Sequence, residues 1–438
     1  MNLGINVAIN IRDEGIIYMI NYDYLFDKSH YDLYTKTDHF SQINLMWREY
    51  ENATVLPFSY DYKEATGGLL DSSGRYVDGS GLHRGLGKKY EYDENQVKIS
   101  DETIVLLGAW PGIWGHWLTD NIRRLWVLDD KSFMMKYGKC KFVYIPFAKY
   151  DIKKSPRELL KLLGIEQVTL ERLDGITRYK KVILPDECFF RTPDSNRYYT
   201  KEYVCMIDKI REFAEENFSD TGVRKVYFTY RHFSDIRAMG EYRLEGFFKR
   251  RGYKIIAPED YSFREQLNIL LSCTEFASTI GSAAHNVMFL RDNTKVYLIP
   301  RADYITEYQF ALNQIHNLDI TFIDSSLSLY VHPDHPWGGP FYFIISENLQ
   351  RCFGIRMKKR NNNRGFSIYR QLCFFINGCQ SPEDYYGKEY IKYLNMSPKR
   401  VEGYSMFHRL FQKLGLVRYS YKVLHKISLI CAKRRPDN

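Results

Sequence analysis

A chain of 438 residues, 45% hydrophobic and 26% charged, has the composition of a folded protein with room for two or three domains, which argues against a disordered or fibrous sequence. The formal charge of +9 gathers at the end, since residues 399–438 hold ten Lys/Arg against two acids; with no zinc finger or RNA-recognition signature beside it, nucleic-acid binding is not expected. The eight cysteines form no C-x-x-C pair, so neither a zinc site nor a disulfide framework is indicated and a reducing compartment fits.

The first residues, "MNLGINVAINIRDEGIIYMIN", lack the basic start and long apolar run of a signal peptide. Nowhere do eighteen apolar residues run together, so no membrane-spanning helix is expected and the N-x-S/T triplets at Asn52, Asn217 and Asn395 carry no glycosylation expectation. Residues 1–100 alternate in short segments and read as the β-rich start of an acceptor-side domain. Within them "DGSGLHRGLGKK", 78–89, has the spacing G-x-G-x-x-x-G without a strand leading into it, and reads as a mobile loop rather than a dinucleotide fingerprint.

From 101 to 220 an α/β alternation appears. "ETIVLLG", "KFVYIPF" and "YKKVILP" read as strands; "WGHWLTDNIRRLW", "SPRELLKLLG" and the stretch 200–217 read as helices. Over 221–330 the alternation is more regular: strands "RKVYFTYR", "YKIIAP", "TEFAST", "KVYLIP" and "ITFID" are separated by helical segments, the pattern of βαβ units around a parallel sheet. Two facing Rossmann-like domains, with ligands between the carboxyl ends of their strands, are the simplest architecture. Residues 331–438 form a return segment and a basic tail. In that segment "HPDHPWGGPF" offers His332, Asp334 and His335, but its prolines and glycines point to a rigid turn rather than a metal site.

Three stretches carry candidate chemistry. In "WGHWLTDNIRRLW", 114–126, a regular helix puts His116, Asp120, Arg123 and Arg124 opposite an apolar side, with His116 and Asp120 four residues apart. A solvated charged face is the plain reading. Four of six tryptophans lie within 110–126, however, and an aromatic wall of Trp114 and Trp117 beside a His–Asp pair suits a sugar hydroxyl awaiting deprotonation. In "TEFASTIGSAAHNVMF" a strand runs into Gly281-Ser282 and a helix begins at once; free amides at Ser282–Ala284, with His285 and Asn286, would hold an anion, though Ser282 could simply cap the helix. In "KVYFTYRHFSDIRAMGEYR" Arg231 and Arg237 follow a strand and could grip phosphates, surface salt bridges being the alternative. Downstream, Ser262 and Glu265 have capping-box spacing, which leaves Gln266 to face the cleft.

In this order the stretches resemble glycosyltransferase family 61, including bacterial capsule and lipopolysaccharide members, over about residues 110–300. The resemblance implies a GT-B-like pair of domains and inverting transfer from a nucleotide sugar, usually without a metal. The absence of any D-x-D from the sequence agrees. Two positions depart from the family pattern: Ile280 stands where a histidine is frequent and Gly240 where an asparagine is usual.

Such a transfer needs a base and a stabiliser for the leaving diphosphate. The pair Asp120 and His116 is assigned the first task, Asp120 preferred. Donor binding falls to Arg231, Arg237, Gln266, Gly281, Ser282, Ala283, His285 and Asn286, and acceptor binding to Trp114, Trp117, Arg123 and Arg124. No metal and no other cofactor is expected. The acceptor would be a glycan or lipid-linked glycan, and the location cytoplasmic, peripheral on the inner face of the plasma membrane. Residues 404–435 have apolar positions at helical spacing among Lys and Arg, so they suit an anionic membrane surface or packing on the protein. A pyruvyl-type transferase, and a non-catalytic scaffold binding nucleotide sugar or membrane, are the alternatives.

Overall fold

The structure, a computed structural model, describes residues 7–11, 17–25, 37–60, 65–82, 87–147, 152–193, 196–230, 238–301, 307–326 and 341–355. Arg231, Arg237, the turn around His332 and the tail 404–435 lie outside the described residues. Among the described residues no helix is long and apolar enough to cross a membrane.

The strands lead with β1 (Val7–Ile11) and β2 (Ile17–Tyr24). Next come β3 (Trp47–Tyr60), β4 (Ala65–Leu70), β5 (Tyr76–Val77), β6 (Lys98–Trp110), β7 (Lys141–Pro146), β8 (Thr169–Arg172) and β9 (Thr177–Pro185). These seven form one sheet in the order β5-β4-β3-β9-β6-β7-β8. It is mixed: β9, β6, β7 and β8 run parallel, whereas β3 joins β9 and β4 antiparallel. A mixed sheet departs from the expected parallel half, because 47–77 contributes hairpin-linked strands where the alternation with helices is absent. Its core packs Val55, Leu69, Ile104, Leu106, Val143, Ile145 and Val182, all essentially inaccessible.

A ribbon of β10 (Phe189–Arg191) and β11 (Arg197–Tyr199) follows. The second large sheet holds β12 (Lys225–Phe228), β14 (Lys254–Ile256), β15 (Glu275–Thr279), β16 (Lys295–Ile299) and β17 (Asp319–Ile323), in the order β1-β2-β17-β16-β15-β12-β14. From β2 to β14 all neighbours are parallel, and only β1 is reversed. Within 225–323 this is the 2-1-3-4-5 order of a doubly wound sheet, whose switch point falls between β12 and β15. The N-terminal strands β1 and β2 thus extend this sheet and not the one formed by 47–185, so a boundary at residue 100 does not follow the sheets.

Both large sheets belong to one compact unit, Met1–Thr229 with Phe248–Asp324. The other unit is Tyr230–Phe247 with Ser325–Asn438. Within it β13 (Ala238–Met239) pairs with β18 (Phe341–Tyr342). Gly240 there has φ +86°, and a Cβ would lie 2.3 Å from the Phe343 carbonyl oxygen, so an asparagine side chain has no room at this position.

Candidate active site

The crossover from β6 to β7 contains the residues 114–126. It is not the regular amphipathic helix expected: one turn of α-helix, Trp114–His116, passes into a π-helical turn, Trp117–Asn121, and then a 3-10 turn, Leu125–Leu128. Residues 117–128 are all buried, so the segment has no solvated face. What makes this tolerable is Glu187, just past β9. Arg124 Nη2 donates to Glu187 Oε1 at 3.0 Å, and Arg123 Nε lies 2.9 Å from the same oxygen. The remaining guanidinium nitrogens turn to carbonyls: Arg123 to Asp120 and Gly81, Arg124 to Pro185, Leu107 and Gly79. Burial, more than the neighbouring Arg123 cation, pulls Arg124 down to about 10, where it is still charged at neutral pH.

The expected acceptor role of Arg123 and Arg124 therefore meets side chains engaged inside the protein, 0% and 2% exposed. The carbonyls of Gly79 and Gly81 tie the start of the glycine-rich stretch to them, and Gly79, Ser80 and Gly81 are buried. That part is anchored, contrary to the mobile loop expected; residues 83–86 lie outside the described ones. Trp117 is also internal, edge-on to Trp110 at 5.2 Å, and lines a cavity of about 20 Å³ with Trp110 and Tyr144, room for a single water and not a sugar.

His116 and Asp120 do meet. His116 Nδ1 contacts Asp120 Oδ2, and the two side chains differ in access: His116 is 30% exposed and Asp120 1%. Asp120 also accepts from the Tyr308 hydroxyl, 3.2 Å to Oδ1 and 3.0 Å to Oδ2. Burial raises Tyr308 well above the usual phenol range, against the opposing pull of Arg197, so the hydroxyl keeps its proton and donates. The Arg197 guanidinium sits 4.1 Å from the Tyr308 ring centroid, and Phe189 and His285 stack on the same ring. Tyr308 and Arg197 escaped sequence reasoning because they lie 188 and 77 residues beyond Asp120, and neither stretch has a motif.

The second candidate segment follows β15 at the switch point. Gly281 and Ser282 lead into a 3-10 helix, Ala284–Phe289, of six residues, whose N-cap is Ala283 without a side-chain bond. An α-helix with a strong dipole is therefore absent at this position, and Ser282 is not the cap. This segment packs against the first. Trp114 Nε1 donates to Asn286 Oδ1 at 3.3 Å, and a Cβ at Gly115 would lie 2.9 Å from His285 Nδ1 and 3.0 Å from Ser282 Oγ. Only glycine at 115 allows that approach. Ile280, in place of the family's frequent histidine, is buried, with its amide on the Ile299 carbonyl. Gln266 is not left facing a cleft: its Nε2 donates to the Pro258 and Tyr261 carbonyls, while Ser262 and Glu265 form the expected capping box.

Burial, helped by His116 and opposed by the Gly115 backbone, lowers His285 from 6.5 to about 4, so the ring is neutral at pH 7. Burial likewise takes His316 to about 3. A histidine whose folded value is depressed stabilises the fold above its unfolded value, and that contribution fades as pH falls from about 6.5 through the folded value. Urea midpoints are therefore expected to drop between pH 6.5 and 4, with a shallower drop in His285→Asn; an unchanged slope in the variant would contradict this.

A larger concavity, about 350 Å³, lies among Arg224, Thr274, Arg291 and Thr294, at the amino ends of β12, β15 and β16. Ligands of doubly wound sheets bind at the carboxyl ends, so this cleft is on the wrong edge. Among the described residues no cluster of His, Cys, Asp and Glu could hold a metal. In comparison with known families, residues 114–297 match the model described as Glycosyltransferase 61. No curated protein matches the chain.

Proposed function

We propose that the chain is a glycosyltransferase of family 61, the family whose model matches residues 114–297, and that it moves a sugar from a nucleotide sugar to a hydroxyl of a growing cell-surface glycan, with inversion. The observation that carries the reading is the array His116–Asp120–Tyr308, at the carboxyl end of β6 and in contact with the segment that leaves β15.

In a direct displacement the acceptor oxygen attacks the anomeric carbon as its proton passes to a base. Both Asp120 oxygens are engaged and the side chain is buried, whereas His116 is the accessible partner. The geometry favours His116 Nε2 as base, with Asp120 holding Nδ1–H and stabilising the imidazolium that forms. This reverses the preference drawn from the sequence. Trp114, fixed by Asn286, would border the sugar, and Gly281, Ser282 and Ala283 would face the diphosphate. No divalent metal is needed in this scheme, and the basic segment 404–435 would bring the enzyme to an anionic membrane carrying its acceptor.

Melting curves against a panel of nucleotide sugars test the donor. Selective stabilisation by one nucleotide family is expected, about 2.7 kcal/mol at a hundred times Kd. Equal curves with every nucleotide sugar would contradict it.

A further inference from the structure

Arg197 opens β11, and its side chain is 5% exposed. Its Nε and Nη1 are buried without a hydrogen-bond partner, and no carboxylate lies within ion-pair distance among the described residues. A guanidinium is always charged and carries five donors. Stacking over Tyr308 satisfies the face of the ion and leaves its N–H edge unsatisfied. Leaving such an edge bare in the interior is costly, and for the two equally buried arginines Arg123 and Arg124 that cost is offset by Glu187 and five carbonyls.

The residue is also held in place. Its carbonyl is 2.7 Å from Nδ1 of the fully buried His39, β11 is paired to β10, and Tyr199 two residues on donates from its hydroxyl to the Gln314 carbonyl. The Tyr308 ring that Arg197 covers carries the hydroxyl bound to Asp120, so the cation stands one ring away from the candidate base pair.

We propose that Arg197 is a built receptor for an oxyanion of a substrate, taking two oxygens of a phosphoryl or carboxylate group beside the His116–Asp120–Tyr308 array. This rests on the glycosyl-transfer reading for its two sources: the diphosphate of the donor, or the carboxylate of an acidic sugar. A planar oxyanion or phosphoryl edge matches the guanidinium fork, which a lysine ammonium cannot reproduce.

The test is calorimetric titration of the full chain with UDP, GDP, ADP, dTDP and pyrophosphate in one arm, and glucuronate and galacturonate in the other. Wild type is expected to bind a member of one arm, Arg197→Gln to weaken that binding by 10- to 100-fold, and Arg197→Lys, which keeps the charge and guards against misfolding, by an intermediate factor. The arm that responds identifies the source. Unchanged binding in both variants, with wild-type melting, overturns the proposal, as does wild type binding neither class. Sugar transfer by the same preparations separates the two claims: transfer with unaffected variants rejects the Arg197 receptor alone, whereas binding of uronate through Arg197 with no nucleotide bound rejects the nucleotide-sugar donor alone.

Discussion

Asp120→Asn is expected to lower sugar transfer by roughly 10²–10⁴-fold, the range of a general base deprived of its orienting carboxylate. The side chain is almost isosteric, so the contacts to His116 and Tyr308 can be approximated without the charge. What disappears is the anion that stabilises a protonated His116. An amide nitrogen turned toward Tyr308 would face the hydroxyl that now donates, and one turned toward His116 would demand the other tautomer; either arrangement spoils the array. Melting temperature within a few degrees of wild type, with transfer reduced as stated, is the expected combination. Wild-type transfer would remove Asp120 from the mechanism.

Glu187→Ala is expected to destabilise the protein by about 3–5 kcal/mol, the usual consequence of stranding buried charge. Two guanidiniums, 0% and 2% exposed, share its Oε1. Carbonyl oxygens would still accept from both arginines, yet none carries a full negative charge. Burial and, second to it, the Arg123 cation already lower Arg124, and without Glu187 only the more distant Asp186 charge would counter them. Urea unfolding reads the change as a shifted midpoint, and a shift under about 1 kcal/mol would show that the carbonyls suffice. Because Arg123 also donates to the Asp120 carbonyl, transfer should fall alongside stability.

Much of the scaffold was legible from local pattern. Short apolar runs bounded by turn residues marked β6, β7, β9, β12 and β14–β17, since buried parallel strands need continuous hydrophobicity. Ser262 and Glu265 marked a helix start by a spacing that the capping geometry dictates. Pairings distant in sequence were not legible. Nothing near β1 and β2 announces that they extend the sheet of β17, and a helical wheel cannot show that Arg123 and Arg124 have an acid 63–64 residues on, which turns a charged face into an interior one.

The candidate site divides in the same way. His116 and Asp120 stood out because an i, i+4 relation is local, and the π-helical turn preserves their contact although it abolishes the expected polar face. Tyr308 and Arg197 were invisible, since each owes its place to a fold that brings the start of a helix and the start of a ribbon strand onto one ring stack. The shift from Asp120 to His116 as favoured base came from exposure and from the engagement of both Asp120 oxygens, which no sequence pattern reports.

The central claim is a single displacement at the anomeric carbon served by His116 on Asp120. Proton NMR of the glycan formed from a nucleotide sugar of known anomeric configuration, taken before mutarotation, tests it most directly. A product of opposite configuration, formed by wild type and suppressed in Asp120→Asn, is the predicted result; a product of retained configuration, or undiminished transfer in the variant, would contradict it.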